Sequence, residues 1–214
     1  MRVSLSLSFA ILAASLAAQS PPPPVLDNDQ VRVVVAAIAP GATASPPQGS
    51  WNRLAIFLDP GLEKPGGGRA RTGKVEAGDI RWSPAASPSA IGNAGAAPLR
   101  VVQVDLKGEG KAVRFGDLDP VRLAPASYRV LMENQQVRVL RARIGAKQSV
   151  PFHEHALNRV VVYLSDAHLR ITGERGDVTE SKGAAGDIRW AGLSKHAETN
   201  LAASAFDVLV VEVK

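Results

Sequence analysis

Four blocks of this 214-residue chain occur twice, in the same order and at nearly the same separation. Asn28-Asp29-Gln30-Val31-Arg32-Val33 returns as Asn134-Gln135-Gln136-Val137-Arg138-Val139, and the run Asn52 to Leu58 returns as Asn158 to Leu164, both 106 residues on. Ala77-Gly78-Asp79-Ile80-Arg81-Trp82 returns as Ala185-Gly186-Asp187-Ile188-Arg189-Trp190, 108 residues on, and Val101 to Lys107 returns as Val208 to Lys214. Repetition at a fixed period means that one folding unit has been used twice. The units span 25–107 and 128–214, and 108–127, with Gly, Pro and charged residues and little periodicity, reads as a linker.

Each unit reads as all-β. The apolar runs are short and Val-rich, and turn residues such as Gly173-Glu174-Arg175-Gly176-Asp177 separate them. Many short strands with frequent turns predict a sandwich or barrel, and no amphipathic helix is evident outside the N-terminus. Apolar residues make up 45% of the chain, enough for a sizeable core.

Met1-Arg2, an apolar run from Val3 to Ala18 and the small residues Ala14 to Ala18 have the layout of a secretory signal peptide over 1–18. The run is short for a membrane span, so cleavage and a secreted or periplasmic location are expected, with no membrane attachment afterwards. A Pro-rich leader, 19–24, follows. The net charge of +5 comes from scattered arginines without interleaved aromatics, so no nucleic-acid partner is expected. With no cysteine, thiolate metal sites and Cys nucleophiles are excluded. Gly68 to Lys74 imitates a phosphate loop, but Val75 stands where Ser or Thr would ligate magnesium and no helix follows.

A duplication carries its own control: what both copies share serves the scaffold, and what one copy has alone serves that copy. All four histidines lie in the second copy. His153 and His155 are two apart, so on a strand they share a face and Glu154 points away. His196, about 40 residues on, can arrive from a neighbouring strand. Three neutral imidazoles with water suit one divalent metal ion, whether Fe, Mn, Zn, Ni or Cu. Glu198 shares the strand face of His196 and is a candidate ligand or general base, weighed against a solvated rim position. Tyr163 has the strand parity of Arg159 and Val161, and its hydroxyl is absent from its twin Phe57. His168 fits no such pattern and reads as structural or exposed. Trp190 and Arg189, twinned with Trp82 and Arg81, read as core and scaffold.

These residues resemble the two motifs of the cupin superfamily, G-x5-H-x-H-x3,4-E-x6-G and G-x5-P-x-G-x2-H-x3-N. Gly145, His153, His155 and Arg159 stand along the first, and Gly186, Gly192, His196 and Asn200 along the second. Seven residues rather than five precede His153, and Trp190-Ala191-Gly192 replaces the P-x-G turn with one extra residue before His196. Arg159 occupies the position of the family's glutamate ligand, and a cation cannot ligate a metal. The resemblance implies two tandem jelly-roll barrels, the first degenerate and the second with a three-histidine centre of the kind known in some thiol and diketone dioxygenases. Arg159 reads either as a clamp for a substrate carboxylate or, because Arg53 is its twin, as scaffold paired with an acid across the barrel. Three functional classes stay open: a metal-dependent dioxygenase or isomerase acting on a small molecule, a non-catalytic metal- or small-molecule-binding module, and a protein whose histidines are remnants. Remnant histidines would sit more than about 6 Å apart or face solvent, because metal–nitrogen bonds are only about 2 Å. An open polar mouth with Glu198 or Tyr163 pointing inward would favour the enzyme over the module.

Overall fold

The computed structural model describes residues 22–45, 51–66, 71–85, 87 and 90–214. The signal-peptide reading of 1–18, residues 19–21 of the leader and part of the loop from Gly68 to Lys74 lie outside the described residues. The first copy contains β1 (Leu26–Asp27), β2 (Val31–Ile38), β3 (Thr43–Ala44), β4 (Asn52–Phe57), β5 (Gly61–Pro65), β6 (Gly73–Val75), β7 (Ile80–Ser83), β8 (Ile91–Asn93) and β9 (Leu99–Leu106). A one-turn helix, α1 (Pro120–Leu123), precedes β10 (Tyr128–Glu133), β11 (Val137–Ile144), β12 (Ser149–His155), β13 (Arg159–Tyr163), β14 (Ala167–Gly173), β15 (Val178–Gly183), β16 (Ile188–Ala191), β17 (Ser194–Asn200) and β18 (Phe206–Val213).

The two copies match strand for strand. The first has sheets ordered β1-β2-β9-β4-β7 and β3-β8-β5-β6, and the second has β10-β11-β18-β13-β16 and β12-β17-β14-β15. The repeated blocks are the residues that shape the turns. Asn28 accepts from the N–H groups of Gln30 and Val31, and Asn134 accepts from those of Gln136 and Val137, so the same Asx turn launches β2 and β11. Gly78 and Gly186 adopt φ of 88° and 94°, which a side chain would strain. The following Asp79 and Asp187 each close the turn by accepting a backbone N–H.

Period-two alternation sends each five-stranded sheet's faces in opposite directions. One face of each, with Val31, Val33, Leu54 and Val104 from the first copy and Val137, Val160, Leu209 and Val211 from the second, merges into a single apolar core between the barrels. Amide bridges flank it reciprocally: Asn52 donates to Gln136 at 2.5 Å and Asn158 donates to Gln30 at 2.6 Å. The other faces line the two barrel interiors, around Phe57 and Leu99 in the first and Leu140, Val208 and Phe206 in the second.

The segment read as a linker belongs structurally to the second barrel. Leu118 accepts the backbone N–H of Glu154 in β12 at 2.8 Å, Phe115 lies 3.9 Å under the Arg138 guanidinium, and Asp119 grips Arg138 at 2.9 and 3.0 Å. Because the inter-barrel core is shared, Leu209→Ala, at a fully buried position, costs about 2–5 kcal/mol. Unfolding of this variant stays a single transition for both barrels in calorimetry; two separate transitions would contradict a common core.

Candidate metal centre

β12 and β17 are antiparallel neighbours that pair His153 with His196 directly and His155 with Ser194. A β-bulge makes the site. Val150 pairs with Glu198 and His153 with His196, so β12 has one extra residue in the Pro151–Phe152 stretch. Val150 faces the interior, and strict alternation would turn His153 outward; the bulge resets the phase so that His153 and His155 also point in. Pro151 suits this place because its ring supplies no N–H that the ladder would need. Glu154 points outward to Lys195 at 3.8 Å.

The three imidazoles offer ligand atoms that all lie within 4.8 Å of one another. His153 is fully buried, His155 nearly so and His196 half-buried. Each Nδ1 faces an oxygen: the Pro151 carbonyl at 2.8 Å for His153, the Glu212 carboxylate at 3.1 Å for His155 and the Ser194 hydroxyl at 3.3 Å for His196. The carbonyl and carboxylate contacts place the hydrogen of His153 and His155 on Nδ1 and leave their Nε2 lone pairs for a metal, while the Ser194 hydroxyl, which can donate or accept, orients the His196 ring. Nε2 of His153 is buried with no hydrogen-bond partner. Buried nitrogen atoms without partners are costly unless something else binds them. Burial holds His155 well below the usual imidazole range, with Arg159 adding to the effect, and pushes His196 down to about 3. Both are therefore neutral at physiological pH, as ligation requires. The donor set fits one divalent ion, and these histidines meet the geometric condition that separates a centre from remnants.

Around the histidines lies a cavity of about 350 Å³ inside the second barrel. His155, His196, Arg159, Tyr163 and Glu198 all line it, with Val161, Leu169, Ile171, Phe206 and Val210 among its apolar walls. Glu198 is not on a solvated rim. It is buried, accepts a hydrogen bond from the Tyr128 hydroxyl at 2.5 Å, and is raised by burial above the usual carboxylate range. It stands outside the three-histidine group. Tyr163 contributes its ring to the wall and carries the Arg189 guanidinium 4.9 Å above it. His168 faces outward and meets Glu180 at 2.9 Å across β14 and β15. Asn200, the last position of the second motif, is scaffold. It donates to Ile144, Gly145 and Ser204 carbonyls, as Asn93 donates to Ile38 and Ala97 in the first copy. At a larger cleft of about 720 Å³ at the barrel junction, lined by Trp51, Trp82, Lys107 and Gln136, the described residues form no cluster of three metal-ligating side chains.

Several participants carry no motif signal. Tyr128 and Ser194 are among them, and so is Glu212, which could have been flagged as the second copy's longer replacement for Asp105. Glu212 is almost fully buried, and burial raises it to about 7 against the opposing pull of Arg138. Its other oxygen lies 3.6 Å from Arg138, which Asp119 holds from behind. Asp119, Arg138, Glu212 and His155 thus form a buried chain of polar groups from the α1 segment to a candidate metal ligand.

Comparisons with known proteins agree on the fold. No family model matches the chain, and no curated protein matches it. Among solved structures, AerE from Microcystis aeruginosa superposes with a TM-score of 0.62 over 91% of this chain and 98% of its own, at 14% identity. A cupin 2 conserved barrel domain protein from Leptotrichia buccalis gives 0.54 over 89% and 87% at 12% identity. A variant of oxalate decarboxylase from Bacillus subtilis gives 0.58 over 86% and 69% at 11% identity. The molecule is a two-barrel β protein with one three-histidine group able to hold a metal. Its fold is the tandem cupin.

Glu212→Ala removes the acceptor that orients His155, and metal affinity falls about 10–100-fold. Competition against a chromophoric chelator measures this; an unchanged affinity would show that Glu212 does not orient the ligand.

Proposed function

We propose that the second barrel binds one divalent metal ion through His153, His155 and His196 and acts there on a small molecule admitted to the barrel cavity. The observation that carries this reading is the convergence of three imidazoles whose Nδ1 atoms are tied back to Pro151, Glu212 and Ser194 while a buried Nε2 stays unpartnered. A solved structure of oxalate decarboxylase is described by its Mn(II) centres, which supports a metal role for this fold.

A bound divalent ion with three protein ligands supplies a Lewis acid with open positions, as dioxygenase and isomerase chemistry both require. The chain's residues do the rest. Bulky apolar side chains from β13, β14 and β18 give the cavity a largely apolar wall. The Tyr128 hydroxyl holds the buried Glu198 carboxylate in place, and that carboxylate is the general base of the site. Tyr163 and Arg159 flank the ligand space. Glu198 and Tyr163 both line the cavity, which favours an enzyme over a module that only captures a metal or small molecule. The substitution of Arg159 for a fourth ligand favours the module. The apolar run from Val3 to Ala18 supports placing either activity in the periplasm or outside the cell.

Elemental analysis of the full chain after reconstitution separately with Fe(II), Mn(II) and Zn(II) tests the metal. About one equivalent per chain is expected for at least one ion, with almost none in the His153→Ala, His155→Ala variant. Equal content in the two proteins ends the reading.

A further inference from the structure

The two copies place the same arginine opposite the same acid and then treat the pair differently. In the first, Arg53 and Asp105 are register partners across β4 and β9, and they form a buried ion pair at 2.5 Å. In the second, Arg159 and Glu212 are register partners across β13 and β18. The acid is one methylene longer, and its oxygens go elsewhere, to His155 at 3.1 Å and Arg138 at 3.6 Å. No carboxylate of the described residues lies within 4.0 Å of the Arg159 guanidinium. Its hydrogen bonds go to neutral groups, the Gly192 carbonyl and the Ser194 hydroxyl, the latter at 2.9 Å.

A second pair has changed in the same direction. Inside the first barrel Glu63 makes a two-pronged contact with Arg81. Glu63 pairs with Asn93 in the first copy, and Leu169 pairs with Asn200 in the second, so Leu169 stands where the acid was. Its arginine, Arg189, is held to the barrel rim by Ser181 at 3.1 Å and Asp187 at 3.2 Å. The first copy pairs two interior arginines with its own acids, Arg53 with Asp105 and Arg81 with Glu63. The second has a cavity of about 350 Å³ whose wall holds a buried guanidinium in contact with no carboxylate, beside His155 and His196 and with Glu198 in the same lining. Glu212 and Glu198 act on Arg159 only at a distance, and a buried guanidinium with no carboxylate in contact, next to a divalent ion, calls for an anion.

Resting on the metal-centre reading, we infer that the cavity takes a small carboxylate with an apolar body. The carboxylate lies on Arg159, where the planar guanidinium offers paired donors. The apolar body lies against Leu169, Ile171 and Phe206, within reach of the metal. Ser194 bridges Arg159 and His196, so the anion subsite and the metal ligand share one hydroxyl.

Benzoate and its neutral isostere benzamide serve as probes, titrated into the full chain in metal-free and Co(II)-loaded form. Binding is followed by thermal shift, and by the Co(II) visible spectrum in the loaded protein. Wild type prefers benzoate by about tenfold or more. Arg159→Gln abolishes the preference in both forms while leaving Co(II) uptake intact, and Arg159→Lys, which keeps the charge, retains a reduced preference. Equal binding of the two probes by wild type overturns the inference. So does a preference that survives in Arg159→Gln, since the metal alone would then be taking the anion. Failure of wild type to take up Co(II) with the charge preference present in the metal-free protein overturns the metal reading and leaves the anion subsite standing.

Discussion

The apolar layer between the two five-stranded sheets holds everything else in register. Strands β11, β18 and β13 bury Val137, Val139, Val160, Val162, Leu209 and Val211 against the other barrel. With one face fixed there, alternation commits the intervening residues to the barrel interior. That is how Arg138, Arg159 and Glu212, all buried, come to face inward at the end of the barrel where the histidines gather. A one-residue slip would turn all three out and open the apolar layer to water, so the polar interior is as firmly specified as the core.

On that frame the copies have diverged mainly by moving charge. The first pairs two of its interior arginines in place, Arg53 with Asp105 and Arg81 with Glu63, and leaves the buried Nε of Arg32 without a hydrogen-bond partner. The second lengthens one acid and replaces the other with leucine. The lengthened acid, Glu212, orients His155, and the arginine it leaves faces the cavity. Glu198 is a further departure. Counting back from the shared Asn200 and Asn93, its counterpart is the buried apolar Ile91. Among the described residues only the second barrel gathers a histidine group able to hold a metal, although the two copies share one strand order.

Most of the fold was legible because the repeat is written in turn-forming residues. Asn28 and Asn134, and the Ala-Gly-Asp triplets, act through local hydrogen bonds and positive φ, which a sequence displays directly. The histidine trio was legible from spacing, although the bulge that lets it face inward was not, since Pro151-Phe152 reads as ordinary strand. The surroundings were hidden for a different reason. Tyr128 reaches Glu198 from a strand 70 residues away, and Asp119 reaches Arg138 from a segment that looked like a linker. Such contacts depend on how strands close into a barrel. Arg159 was misleading because its twin keeps an ion pair that Arg159 itself lacks, a difference set by one methylene in Glu212.

The function proposed for the second barrel requires one metal ion held by three imidazoles. Anomalous diffraction from metal-loaded crystals, collected at the metal's absorption edge, addresses this directly. A single peak about 2.0–2.2 Å from Nε2 of each of His153, His155 and His196, with none inside the first barrel, is the result predicted. A peak bound elsewhere, or a fully reconstituted crystal with no peak between the three rings, would contradict it.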